Sequence, residues 1–419
     1  MPHPFFLALA LTVSIIHVTA FAKASHAAEP SALTYTLDEI ITLALERNPA
    51  VMSAEGAVRQ SQGDRVRAGA YPNPSIIGSS GRGAIRDPST GVAITERTVT
   101  VEQPLEWPST RQARQRAAEA GIAGAHAGVE ETRLKIIADV KVAFYQLLLA
   151  QRDAELATQN LKTVEAVAQV VKDRVALGEG GQFQVIKANV EVQKARKEVA
   201  RAVNALQVAQ VNLDTLTGKA LGKPFRIQGD FTAIQQEQKL ESLIAVALTQ
   251  NPSLRRQRKL IDQAELKVVQ EKQSRIPNFT ISGTYHREAG DEAILAGVSV
   301  PVPLWYRRQG EIETALGTQR RSEAEWLQVR NELERAITQH FQEARTAQEQ
   351  IAVFEQGLLK QAEEALDIAK FSFQHGEASL LEVLDAQRVY RQTLLEYAQA
   401  RSELAIALAR LERWTGGGS

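Results

Sequence analysis

The sequence predicts a mainly α protein with a β-barrel part, in which one unit of helix, β-hairpin and long antiparallel coiled-coil helices is written twice. Three observations carry this. Equivalent phrases recur about half a chain apart. Helical runs are too long for a compact domain. Each half holds one pair of alternating segments of about ten residues, the length that crosses a bilayer when tilted.

The repeat comes first. LALERNPA at 43–50 is answered by VALTQNPS at 246–253, so Asn48-Pro49 recurs as Asn251-Pro252. With Gly178 aligned on Gly376, an ungapped register runs to Gly218 and Gly416, where Leu216-Thr217-Gly218 meets Trp414-Thr415-Gly416. Pro72-Asn73 answers Pro277-Asn278, and VTVEQPL at 99–105 answers VSVPVPL at 298–304. Chance likeness between helices gives one such match, not four in the same order, so the chain is a tandem duplication. The copies occupy 29–218 and 239–416, with a linker at 219–238 and a tail at 417–419.

Residues 1–28 read as a signal peptide: FFLALALTVSII at 5–16 is an apolar stretch, and Ala22-Lys23-Ala24 or Ser25-His26-Ala27 offers a small-x-small cleavage site. Beyond it no run of about 18 apolar residues remains, so no spanning helix is expected, whereas a β-barrel has a weaker signal and stays open. Lys plus Arg and Asp plus Glu balance at 49 each, which leaves no basic surface for nucleic acid. The absence of cysteine removes disulfides, thiolate metal sites and a cysteine nucleophile. No phosphate-cradling glycine loop, nucleophile elbow or HExxH is present, so neither an enzyme nor a cofactor is expected.

Each copy opens with a helix, over 38–69 and again over 239–274. Thr36 and Glu39 have capping-box spacing, and the Asn-Pro inside each helix marks a kink or break, because proline removes a donor and clashes with the preceding turn. Hairpins follow at 72–105 and 277–304. Phe279, Ile281 and Tyr285 alternate with Thr280, Ser282, Thr284 and His286, as Val99 and Val101 alternate with Thr98 and Thr100. Pro104, Pro108, Pro301 and Pro303 are expected to end the second strand of each pair. Tyr71, Trp107, Trp305 and Tyr306 stand at the hairpin bases, either as interfacial aromatics of a membrane barrel or as ordinary packing where hairpin meets helix.

The helical hairpins span 109–217 and 307–415. The run from Ser109 to Leu177 would be about 100 Å long, more than a globular domain holds. One seam of it is small: Ala113, Ala117, Ala120, Gly124 and Ala127. The returning helix carries a heptad through Val192, Ala195, Val199, Ala202, Leu206, Ala209, Leu213 and Leu216, and the second copy keeps the phase from Tyr390 to Trp414. Four strands cannot close a barrel, so the chain must associate with copies of itself; three chains would supply twelve strands.

The opening YTLDEIITLALERNPA, the phrase VTVEQPLEWPSTRQAR and the stretch FSFQHGEASLLEVLDAQRVYRQTLLEYAQA at 371–400 resemble the TolC family of outer-membrane efflux proteins over essentially the whole mature chain. EQPLEWPSTRQAR, with the short chain and the lack of a lipidated Cys, is similar to the CzcC-like heavy-metal group. The resemblance implies a homotrimer in outer-membrane lipid: a twelve-strand barrel continuing into a periplasmic helical barrel. It also implies a periplasmic adaptor (membrane fusion) protein and an inner-membrane transporter of the RND type, which supplies the energy.

Family residues carry over by position. Leu177, Gly178, His375, Gly376 and Leu380 match the hairpin tips that contact the adaptor, although such residues also simply build turns. The constricting carboxylates fall on Glu382 and Asp385, three apart and so on one helix face; that face is otherwise a solvated one that helps capping. The family's latch positions hold Phe373, Ala378 and Gln184, which puts that latch in doubt, and Asp385 is expected to meet Lys187, its counterpart in the other copy. No metal site is expected, since His126, His286, His340 and His375 are scattered over different elements. The rival reading is a periplasmic coiled-coil scaffold without a channel, for which two alternating strand pairs have no use.

Overall fold

The computed structural model describes residues 33–91, 93–222, 224–231, 239–288 and 290–417. The expected signal peptide, residues 223 and 232–238 of the linker and the last two residues of the tail lie outside these.

In chain order the first copy comprises β1 (Leu33–Tyr35), α1 (Leu37–Arg47), α2 (Pro49–Gly69), β2 (Ser75–Arg86), β3 (Ala93–Leu105), α3 (Pro108–Ala176) and α4 (Gln182–Leu216). A short β4 (Phe225–Ile227) leads to the second copy: α5 (Leu240–Gln250), α6 (Pro252–Gln273), β5 (Phe279–Glu288), β6 (Asp291–Ser299), α7 (Gln309–Val353), a π turn (Phe354–Leu358), α8 (Leu359–Gln374) and α9 (Leu380–Thr415).

Thr36 and Glu39 form the capping box of α1, the Thr36 N–H donating to the Glu39 carboxylate at 2.8 Å. The Asn-Pro of each copy is a full break rather than a kink. Pro49 and Pro252 take the first positions of α2 and α6, where their missing N–H costs nothing. Asn48 and Asn251 cap those helices, accepting from the N–H of Ala50 and of Ser253 at 2.8 Å each. Both asparagines are buried, and each spends its amide N–H elsewhere. Asn48 Nδ2 donates to the carbonyl of Leu216, and Asn251 Nδ2 to that of Trp414, again at 2.8 Å each. The start of α2 is thereby joined to the end of α4, and the start of α6 to the end of α9. Gly218 and Gly416 fit these joints tightly: a Cβ on Gly218 would stand 2.6 Å from the Arg47 carbonyl oxygen, and one on Gly416 3.2 Å from that of Gln250.

The helices consequently stand in four columns. The joined α4 and α2 flank α3 on one side. The joined α9 and α6 flank it on the other, and α7, the π turn and α8 lie beyond them. The small face of α3 is where α6 approaches, with Gly121 against Gln263, Gly124 against Lys259 and Gly128 against Arg256. Ala120, expected in that seam, is only half-buried. The second copy departs from the first at the π turn, where Gly357 takes φ 152° and interrupts the descending helix; α3 runs without a break.

The stretch 219–238 is more than a linker. β4 pairs in parallel with β1, and Leu221, Phe225 and Ile227 bury beside Ile40, Ile136, Val140, Phe144 and Leu147. This core sits midway along α3, where its neighbours change from α2 and α6 to α4 and α9.

The two hairpins form one antiparallel sheet in the order β2-β3-β5-β6, so the central β3–β5 pair unites the copies. β3 continues through Pro104, which faces Thr280, and the prolines at 301 and 303 follow the end of β6. Thr98, Thr100, Glu102, Ser282, Thr284, His286 and Glu288 are half-shielded on one face, whereas Val99, Val101, Ile281 and Tyr285 are exposed on the other. The central β3–β5 pair therefore shields its polar face and exposes its apolar one, the reverse of a sheet packed on its own protein core. Among the described residues β2 and β6 are paired on one side only.

Candidate functional site

At the far end of α3 the two helical hairpins turn within one cluster. Both turns have the same construction. Gly178 and Gly376 adopt φ of +82° and +79°, and the following N–H of Glu179 and Glu377 bonds back to the carbonyls of Arg174 and Ser372 at 2.9 Å each. That reversal satisfies carbonyls left over at the helix ends and requires the left-handed region open to glycine. Leu177 is 77% exposed at the first turn. His375, at the second, stacks on Phe371 with centroids 4.2 Å apart, and its Nδ1 lies 2.9 Å from the Phe371 carbonyl oxygen.

Leu380, the fifth tip residue expected at the surface, is turned inward. It packs with Val383, Phe373, Val164, Ala168, Val171, Ala188 and Val192 in a core that unites the two hairpins. Leu381, one position on, faces out, as do Phe183, Ile186 and Val190 along one face of α4.

Glu382 closes a capping box with Ser379: its carboxylate accepts the Ser379 N–H at 2.5 Å, and the Glu382 N–H reaches the Ser379 hydroxyl at 3.3 Å. The backbone bond from Ser379 is the larger of the contributions that hold the Glu382 carboxyl below its ordinary range. Asp385 is ion-paired with Arg388, one turn further along α9. It does not meet Lys187. No ion pair joins those two among the described residues, because corresponding positions of α4 and α9 flank opposite sides of α3 and face different neighbours.

Arg174 is a further residue of the tips, one that the motifs did not single out. From the last turn of α3 its Nη2 donates to the main-chain carbonyls of Phe373 at 2.9 Å and Gln374 at 3.2 Å, while its guanidinium lies 4.9 Å from the Phe373 ring centroid. One side chain thus caps the C-terminal end of α8 and ties the first hairpin to the second. The polar link that the latch positions Phe373, Ala378 and Gln184 lack is supplied from the other hairpin, and only the basic residue in the last turn of α3 hinted at it.

At the opposite end, three of the four hairpin-base aromatics have partners. Arg111 lies over the Tyr71 ring at 4.1 Å, Trp107 Nε1 donates to the Pro277 carbonyl at 2.8 Å, and the Tyr306 hydroxyl donates to Glu311 at 2.6 Å. Trp305 projects outward, 90% exposed. No helix among the described residues is long and apolar enough to cross a membrane, and none of their His, Asp and Glu side chains form a group of three placed to hold a metal ion.

Comparison with known proteins decides the family. The family model for outer membrane efflux proteins matches residues 40–219 and 243–417, one segment for each copy. The chain belongs to this family. As an efflux-family member it is an outer-membrane protein whose helices extend into the periplasm. It is 28% identical over 383 residues to the cobalt-zinc-cadmium resistance protein CzcC of Cupriavidus metallidurans, covering 91% of this chain and 90% of that one. It is 22% identical to the pyoverdine export outer membrane protein OpmQ of Pseudomonas aeruginosa, over 91% of this chain and 83% of the other. Among solved structures, the outer membrane protein VceC of Vibrio cholerae superposes with a TM-score of 0.74 at 19% identity, over 91% of this chain and 96% of VceC, a likeness of fold.

Proposed function

We propose that three copies of this chain close into a passive exit duct, a twelve-strand barrel in outer-membrane lipid continuing into twelve helical columns across the periplasm, which conducts heavy-metal cations. One observation carries the reading: a four-strand sheet whose two edges are unpaired among the described residues and whose central polar face is half-shielded, continued by a wall of four columns. An exposed apolar face and free edges are both satisfied by closure with neighbours in a bilayer. The duct takes its cargo from an inner-membrane transporter of the RND type, through an adaptor that grips the tips at Leu177, Gly178, His375 and Gly376, with Leu381 and Phe183 beside them. Leu380 supports that surface from beneath. Glu382 and Asp385, repeated three times, ring the opening, with Lys187 on α4 across α3 from them. Tyr71, Trp107, Trp305 and Tyr306 mark the membrane boundary. The chain performs no catalysis and needs no cofactor.

The metal cargo rests on the likeness to CzcC; the likeness to OpmQ favours the second reading, a duct for small organic molecules. A heat-resistant trimer in outer-membrane detergent extract is the expected result, and a soluble periplasmic species would defeat the duct in favour of a scaffold. Loss of the gene should sensitise cells to divalent metals; sensitivity to organic compounds alone would transfer the cargo to the second reading.

A further inference from the structure

The shielded face of the sheet carries an uneven set of charges. Glu96 faces Glu288 across β3 and β5, Glu288 faces Asp291 across β5 and β6, and Glu102 faces Ser282 lower down. Among the described residues of the four strands no Lys or Arg shares that face: Arg97 and Arg287 oppose each other on the apolar side, and Arg287 pairs there with Glu292. The one group able to become positive is His286. It stands between two carboxylates, Nδ1 being 3.6 Å from Glu96 and Nε2 3.6 Å from Glu288, and Nδ1 lies 3.1 Å from the Thr98 hydroxyl. Its other neighbours on that face are Thr284 on its own strand and Ala293 opposite it on β6.

We propose that this face is a cation-selecting surface of the duct, and that His286 sets its charge by adding a proton between Glu96 and Glu288. The proposal rests on the trimeric duct. Closure places the shielded face around the lumen, where a permeating ion passes within about a Debye length of the wall, some 10 Å at 0.1 M salt. Walls of one sign concentrate the opposite ion and turn away its co-ion. Neutral His286 leaves each chain's four carboxylates uncompensated; protonation cancels one charge in four, at the residue pair nearest the outer turns. The duct then favours cations at neutral pH and discriminates less in acid. This is a property of the barrel, separate from any ring at the tips.

The test is the reversal potential of the purified full-length assembly in planar bilayers, under a roughly tenfold KCl gradient, at about pH 7.5 and pH 5.5. Both values stay above carboxylates near 4.3. Wild type should select cations, by a ratio that falls about twofold or more across that step and weakens in high salt. His286→Gln should keep the selectivity and lose the step, whereas His126→Gln on α3 should keep both. Glu96→Gln with Glu288→Gln should lower the selectivity at the higher pH. A conducting assembly whose step survives His286→Gln, or vanishes with His126→Gln, overturns this surface and leaves the duct standing. An assembly that forms no trimer and no conductance overturns both.

Discussion

The amide of Asn48 donates to the carbonyl of Leu216 at 2.8 Å, and that of Asn251 does the same to Trp414. Each asparagine serves two helices at once, capping the one it begins and bonding the last turn of one that ends 168 or 163 residues away. Replacing a buried, doubly bonded group leaves donors or acceptors unpaired, at about 1–3 kcal/mol. Asn48→Ala and Asn251→Ala should therefore lower thermal stability in detergent, followed by far-ultraviolet circular dichroism. Asn48→Asp keeps the cap and loses the donor, so its loss should be smaller; equal losses would show that the bond to Leu216 contributes nothing.

Gly218 lies in the same joint with φ +67° and the Arg47 carbonyl against it. Gly218→Ala should cost about 1–3 kcal/mol, from a left-handed backbone that disfavours a side chain and from the clash. Gly63→Ala, in an exposed helical setting with nothing within 4 Å of the new Cβ, should be neutral or stabilising by up to about 1 kcal/mol. Denaturant midpoints of the two variants compare them directly.

Arg174 caps the end of α8, so Arg174→Ala should loosen the tips. Raised resting conductance in planar bilayers and faster proteolysis near residues 175–183 and 373–381 are the expected readings. Arg174→Lys keeps a charge without the planar fork, and should fall between the two. Wild-type conductance and proteolysis in Arg174→Ala would remove it from any role in closure.

Glu382→Ala with Asp385→Ala should reduce block of the channel by multivalent cations, and unchanged block would sink the carboxylate ring. Because Asp385 is paired with Arg388, Arg388→Gln should free its charge and deepen the block.

The capping box of α9 makes the tips sensitive to acid. Glu382 is held below its ordinary range, so its contribution is complete above the unfolded carboxylate value near 4.3 and is lost as pH falls through the depressed folded one. Hydrogen exchange at residues 380–384 should accelerate in that window. Glu382→Gln, which keeps a neutral acceptor, should flatten the response.

Much of this was legible in the sequence, because a duplication tests itself. The Schellman glycines, the returning heptads and the alternating strands recur in phase, and each period reports one buried face. What stayed hidden depends on which helix lies beside which. The Asn-Pro motif read only as a local kink or break, since its partner carbonyls belong to Leu216 and Trp414, far along the chain. Arg174 went unseen because it binds main-chain carbonyls, which any sequence supplies. Lys187 and Asp385 were matched by repeat position, although equivalent places in two copies need not touch. Leu380 and Leu381 are adjacent leucines whose exposure differs by a rotation of about 100° around the helix axis.

The joints also decide how force travels. A pull applied at the tips runs up α3 through unbroken peptide bonds and main-chain hydrogen bonds. In the neighbouring columns it must cross from α4 to α2, and from α9 to α6, through an asparagine hydrogen bond and side-chain packing, with no continuous main chain. Under load the spliced columns are where the wall yields first, at mid-height, with the continuous column as the mast that keeps tips and barrel in line.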